Sequence, residues 1–142
     1  MKFLTHLFTG DSITLDEPDL GPLKSLVIRD EIVHWMGKAT LFNQEVEIFI
    51  TGNKKEADPE DKKQVLYLLH HQAEVEEQCN IALADLYANA GRGYTAWKRH
   101  FNCTAISIYD GEAQVTFEEA ETMSDFNVHF IDAKLTGTSI DR

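Results

Sequence analysis

Between Pro59 and Ala90 apolar side chains return at steps of three and four: Val65, Leu68, Leu69, Val75, Cys79, Ala82, Leu83, Leu86 and Ala90. Gln72 is the single polar interruption of that stripe. The period is that of an amphipathic helix. Asp58-Pro59-Glu60-Asp61 supplies an N-cap, a proline at the first helical position and acids in the first turn. Gly91 supplies a left-handed stop, with Arg92 behind it. One unbroken helix over this span would be about 48 Å long at 1.5 Å per residue, so a bend near Gln72 to Gln78 is expected. Neither Gly nor Pro marks it.

On both sides of the helix the period changes to two. Val33 to Phe42 and Glu45 to Thr51 flank Asn43-Gln44, and Val46, Ile48 and Ile50 alternate with Glu45, Glu47 and Phe49. Asn tolerates positive φ, so a tight hairpin is predicted there. Downstream, Ala105, Ser107 and Tyr109 alternate with Ile106 and Ile108 before Asp110-Gly111, and Val115 and Phe117 lie on the return arm. Phe126 to Ile131, Asp132-Ala133 and Lys134 to Ile140 predict a second hairpin. Upstream, Phe3 to Phe8 and Ile13 to Leu15 are short apolar pieces around Gly10-Asp11, Pro18 to Pro22 reads as a loop, and Leu26 to His34 is interrupted by Arg29-Asp30-Glu31. The expectation is α+β: a mainly antiparallel sheet of about five to seven strands, with a long helix or helical pair packed on one face. The 142 residues read as one domain, strand-rich over 1–52, helical over 58–91 and strand-rich over 95–142.

Composition narrows the function. Twenty-four acidic against 13 basic residues give a net charge of −11, which disfavours nucleic acid or an anionic membrane as partner. The start Met1 to Phe8 is broken by Thr5 and His6, too short and polar for a signal-peptide core. The longest unbroken apolar run, Val65 to Leu69, falls far short of a membrane span. Cys79 and Cys103 form no CxxC pair and read as buried, reduced thiols, so a cytoplasmic location is expected.

Several segments carry a family resemblance. Trp35-Met36-Gly37, Leu41-Phe42-Asn43-Gln44-Glu45-Val46-Glu47-Ile48, the Asp58-Pro59 helix start, Ile106 to Glu112, Val115-Thr116-Phe117 and Phe126 to Phe130 together resemble small bacterial domains of unknown function. Some members of that group look like immunity proteins of bacterial toxin systems, which implies binding without turnover. Relatives often carry a Trp-Asp…Glu-His-Gly segment between the last two strands. Here Glu118 to Asp125 has no Trp, His or Gly, which puts any site built on that segment in doubt.

The remaining chemistry is weighed against simpler roles. His70, Glu74 and Glu77 share a helix face and could hold a divalent ion, but that spacing also describes a solvated face, and no Glu-x-x-His repeats on a partner helix. No metal or other cofactor is expected. His100 and Cys103 suggest a nucleophile and base, yet nothing nearby orients the base. Glu45 with Glu47, Glu76 with Glu77, and Glu118 with Glu119 and Glu121 are paired acids with no sign of a shared cleft. Gly91-Arg92-Gly93 follows a helix and lacks the Gly-Lys-Ser/Thr ending of a phosphate loop. Tyr94, Trp97 and Phe101 interleave with Lys98 and Arg99, a small basic patch on an acidic protein.

Charge distribution says more than charge total. Cys103 to Ala133 holds seven acids without Lys or Arg, and Gln64 to Gly91 holds Glu74, Glu76, Glu77 and Asp85 without either. A non-catalytic protein-binding domain is therefore expected, with Glu118, Glu119, Glu121 and Asp125 facing a basic protein partner. The alternative is a small metal- or carboxylate-dependent hydrolase, which requires at least two of His34, His70, His71, His100 and His129 to converge with acids. A third reading, an oligomer-forming module, rests on an apolar stripe wider than one sheet covers, and oligomeric state itself stays open.

Overall fold

The computed structural model describes residues 12–142, so the predicted apolar piece Phe3–Phe8 and the Gly10-Asp11 turn lie outside the described residues. Four strands come first: β1 Thr14–Glu17, β2 Gly21–Arg29, β3 Ile32–Leu41 and β4 Gln44–Gly52. Helices α1 Pro59–His70, α2 Gln72–Asn89 and the short α3 Trp97–His100 follow. Strands β5 Phe101–Tyr109, β6 Glu112–Glu119, β7 Asp125–Ile131 and β8 Lys134–Asp141 close the chain. Among the described residues, eight strands form one open sheet in sequence order. Every neighbouring pair is antiparallel except β4 and β5, which run parallel through Glu47 opposite Ala105 and Phe49 opposite Ser107. A parallel step needs a long crossover, and the helices supply it.

The fold is α+β, as expected, but the strand count of about five to seven is too low against the observed eight. The charged run Arg29-Asp30-Glu31 is a turn and not an interruption: Asp30 adopts φ 58° and lets β2 and β3 pair as separate strands. Asp110-Gly111 and Asp132-Ala133 form the predicted tight turns, with φ of 52° and 78°, and 52° and 61°. The β3–β4 turn falls one residue earlier than predicted, at Phe42 (54°) and Asn43 (62°). Positive φ strains a bulky residue. Phe42 is held there because its ring is buried against Trp97 and Phe117, at centroid distances of 5.8 and 6.4 Å, and its N–H donates to Gln72 Oε1 at 2.9 Å.

That hydrogen bond explains Gln72, the lone polar residue of the apolar stripe; its amide also donates to Thr40 O at 3.2 Å. The helix breaks beside it, at His71 (φ −126°, ψ 36°), giving two helices without a Gly or Pro. Asp58 caps α1 by accepting from the Glu60 and Asp61 N–H groups at 2.9 and 3.1 Å. Gly91, at φ 68°, follows the end of α2 as predicted. Among the described residues no helix is long and apolar enough to cross a membrane.

The core joins both sets of strands to the helices. Trp35, Ile48, Ile106, Val115, Phe117, Val128 and Phe130 are fully buried with Val65, Leu68, Val75, Cys79 and Leu83. Each such side chain contributes about 1.5–3 kcal/mol by leaving water. Residues of the opposite parity carry only a small apolar cluster of Leu26, Phe49 and Ala105 with Met36, and beside it a hydrogen-bonded set of polar groups.

Candidate functional site

The four acids predicted to face a partner gather at the β6–β7 corner, but they do not share one environment. Glu119 is 2% exposed. Its carboxylate accepts from Tyr87 Oη, from Arg92 Nη1 at 2.9 Å and from Thr122 Oγ1 at 2.6 Å. Burial works to raise its pKa, yet those three hydrogen bonds together with the Arg92 charge outweigh burial and hold the carboxyl below its ordinary value. Asp125 is buried as well, on β7 opposite Glu118, which is half-buried. Only Glu121 is exposed, with Arg92 Nη2 3.8 Å away. Glu119 and Asp125 are therefore internal residues, and the Glu119 carboxylate is engaged by a phenol, a guanidinium and a hydroxyl of its own chain.

The corner is joined to α2. Arg92 follows the Gly91 cap, lies 4.3 Å from the centroid of Tyr87, and reaches Glu119 and Glu121. Tyr87 belongs to an aromatic group with Tyr94, His100, Phe101 and Phe126. At the other end of the helical layer, Gln64 exchanges two hydrogen bonds with Asp132, at 2.8 and 2.9 Å. Gln78 accepts from Leu135 N at 3.0 Å. The two lysine- and arginine-free stretches are thus fastened together along α2 and the β7–β8 turn.

What α2 turns outward is acidic. Glu74, Glu77 and Asp85 are exposed, and between them Ile81 is 54% exposed. Glu77, Ile81 and Asp85 stand one turn apart on one face. Asp85 lies near the C-terminal end of α2, where the helix dipole disfavours an anion, so its charge does not serve the helix. Beside this ridge a cleft of about 400 Å³ is lined by Ala73, Glu76, Glu77, Asn80, Trp97 and Lys98. Glu76 accepts from Trp97 Nε1 at 2.9 Å, and Asn80 Oδ1 from Trp97 N at 3.1 Å. Trp97, 3% exposed, packs against Phe42 and Phe117, and Lys98 stands 5.6 Å from its ring centre. The aromatic members of the basic cluster are core and cap residues.

The five candidate histidines do not form one cluster. His34 is exposed on β3, His70 and His71 are exposed at the α1–α2 break, and His100 stacks on Tyr94 at 5.1 Å. His129 on β7 contacts Glu112 and Ser139. No two of these histidines converge with acids, as the hydrolase alternative requires. Among the described residues no group of three His, Cys, Asp or Glu stands in ligating positions. Cys103 is 3% exposed, and burial, followed by the charge of Glu76, pushes its thiol up to about 12. A thiol so hard to ionise is a poor nucleophile, which answers the His100–Cys103 pairing. Cys79 is also free and buried, with its thiol raised by burial.

The sequence missed the α2 ridge as a site because Ile81 was absorbed into the helical zone; its position four residues from both Glu77 and Asp85, off the apolar stripe, is the signal that marks it. No family model, no curated protein and no solved structure matches the chain.

Proposed function

We propose that this chain is a protein-binding domain of the immunity type, and that the exposed face of α2, continued to Glu121, receives a basic protein partner. One observation supports this above others: Ile81 stands exposed between Glu77 and Asp85 on a surface without Lys or Arg from Gln64 to Gly91. A solubilising face needs acids but gains nothing from an exposed isoleucine, whereas an interface uses an apolar centre within a charged rim. The acids steer a cationic surface and repel anions, and the isoleucine is desolvated on contact.

The test is paired capture from a lysate of the native host. Wild-type bait is compared with bait carrying Glu74→Gln, Glu77→Gln and Asp85→Asn, and with Ile81→Ser. A basic protein retained by wild type, lost with the neutralised bait and lost at high salt supports the reading. The same proteins retained by all three baits contradict it.

A further inference from the structure

Three neighbouring strands on the polar side of the sheet bring together a serine, a histidine and a glutamate that are far apart in sequence. Ser139 on β8 is exposed, and its Oγ lies 2.9 Å from His129 Nε2 on β7. His129 Nδ1 lies 3.1 Å from Glu112 Oε1 on β6. The protons in this set have consistent directions. Asn127 Nδ2 donates to Ser139 Oγ at 3.3 Å, which turns the serine hydrogen toward His129 Nε2. Nδ1–H then donates to Glu112, whose other oxygen accepts from Thr136 Oγ1 at 2.7 Å. That hydroxyl comes from an irregularity in the β7–β8 pairing: His129 stands opposite Gly137 and Phe130 opposite Leu135, which leaves Thr136 as the extra residue. The Thr136 hydrogen bond, with His129 second to it among the groups that favour the anion, holds Glu112 below its ordinary carboxyl range.

We infer that Ser139, His129 and Glu112 form a nucleophilic relay that accepts an acyl group from small, solvent-accessible carboxylic esters. The geometry is that of a nucleophile within reach of a base, the base oriented by a carboxylate. In the first step Ser139 Oγ bonds to the ester carbonyl carbon and its proton passes to His129 Nε2. The alcohol portion then leaves, taking that proton. Water attacks the acyl-serine through the same histidine, the carboxylic acid departs and Oγ regains its proton. Glu112 stays ionised and stabilises the imidazolium. Asn127, whose amide donates to both Ser139 Oγ and Asp141 Oδ2, the latter at 2.9 Å, positions the serine. The relay lies on an open face, so substrate binding contributes little and its acceleration is modest. It involves none of the residues proposed for partner binding.

A fluorophosphonate ester tests this directly, because an activated serine displaces fluoride and keeps the phosphonyl group. On the intact, folded protein the probe is expected to modify Ser139, located by peptide mass mapping. Ser139→Ala removes that adduct with an unchanged circular dichroism spectrum. His129→Ala slows labelling by about 100-fold or more, the usual contribution of a general base. Glu112→Gln slows it by a smaller factor while Ser139 stays exposed. No adduct on Ser139 in the wild type, or equal labelling rates in wild type and His129→Ala, overturns the proposal.

Discussion

Arg92 lies over the ring of Tyr87, 4.3 Å from its centre, while its Nη1 holds the buried carboxylate of Glu119 at 2.9 Å. The phenol of the same tyrosine donates to the same carboxylate. The end of α2 and the end of β6 are thereby locked by one anion with three donors. Glu119→Gln keeps the shape and loses the charge-assisted bonds, which costs about 1.5–3 kcal/mol, read as a lower urea midpoint. An unchanged midpoint would show that the corner is not a lock.

The same carboxylate sets an acid limb. Its folded pKa is depressed, so its stabilisation is complete above the unfolded glutamate value and is lost as pH falls through the lower folded value. Urea melts from about pH 7 to about pH 3 bracket that window. The wild type is expected to lose stability more steeply than Glu119→Gln across it. Parallel curves would contradict the assignment.

Gly52 is a steric requirement. A Cβ there would come within 2.3 Å of Glu56 O and 2.8 Å of Ala57 Cα, backbone atoms that cannot move aside because the Asp58 N–H bonds Thr51 O at 2.8 Å. Gly52→Ala is expected to cost about 3 kcal/mol by forcing β4 from the start of α1. Gly93→Ala, where a Cβ meets nothing within 4 Å, is the neutral control. Equal thermal midpoints for the two variants would refute this.

Much of the fold was legible because it is local. Asp110-Gly111 and Asp132-Ala133 carry their turn geometry in two residues, and Asp58-Pro59 carries the α1 start. The misplaced turn at Phe42 was not, since packing on Trp97 and Phe117 and the hydrogen bond from its N–H to Gln72 hold a phenylalanine at φ 54°. The site was harder for the same reason. Acids read as surface in the strand pattern, and it takes the cation behind the Gly91 cap, with the Tyr87 and Thr122 hydroxyls, to hold Glu119 inward. Glu112, His129 and Ser139 are assembled by strand register across three strands, which spacing along the chain does not encode.

The capping role of Asp58 gives a smaller, local prediction. Asp58→Ala removes the acceptor for two N–H groups of α1 and is expected to cost about 1 kcal/mol in urea unfolding. Asp58→Asn should recover most of it, and a loss equal to that of Ala would place the effect elsewhere.

The central claim is that the α2 face is where a basic protein docks. A photo-reactive benzophenone side chain at position 81, irradiated in the native host, reads that contact directly. The account predicts one dominant adduct with a basic protein from position 81, and none from position 109, where Tyr109 is 85% exposed on another part of the molecule. No adduct at position 81, or the same adducts from both positions, would contradict it.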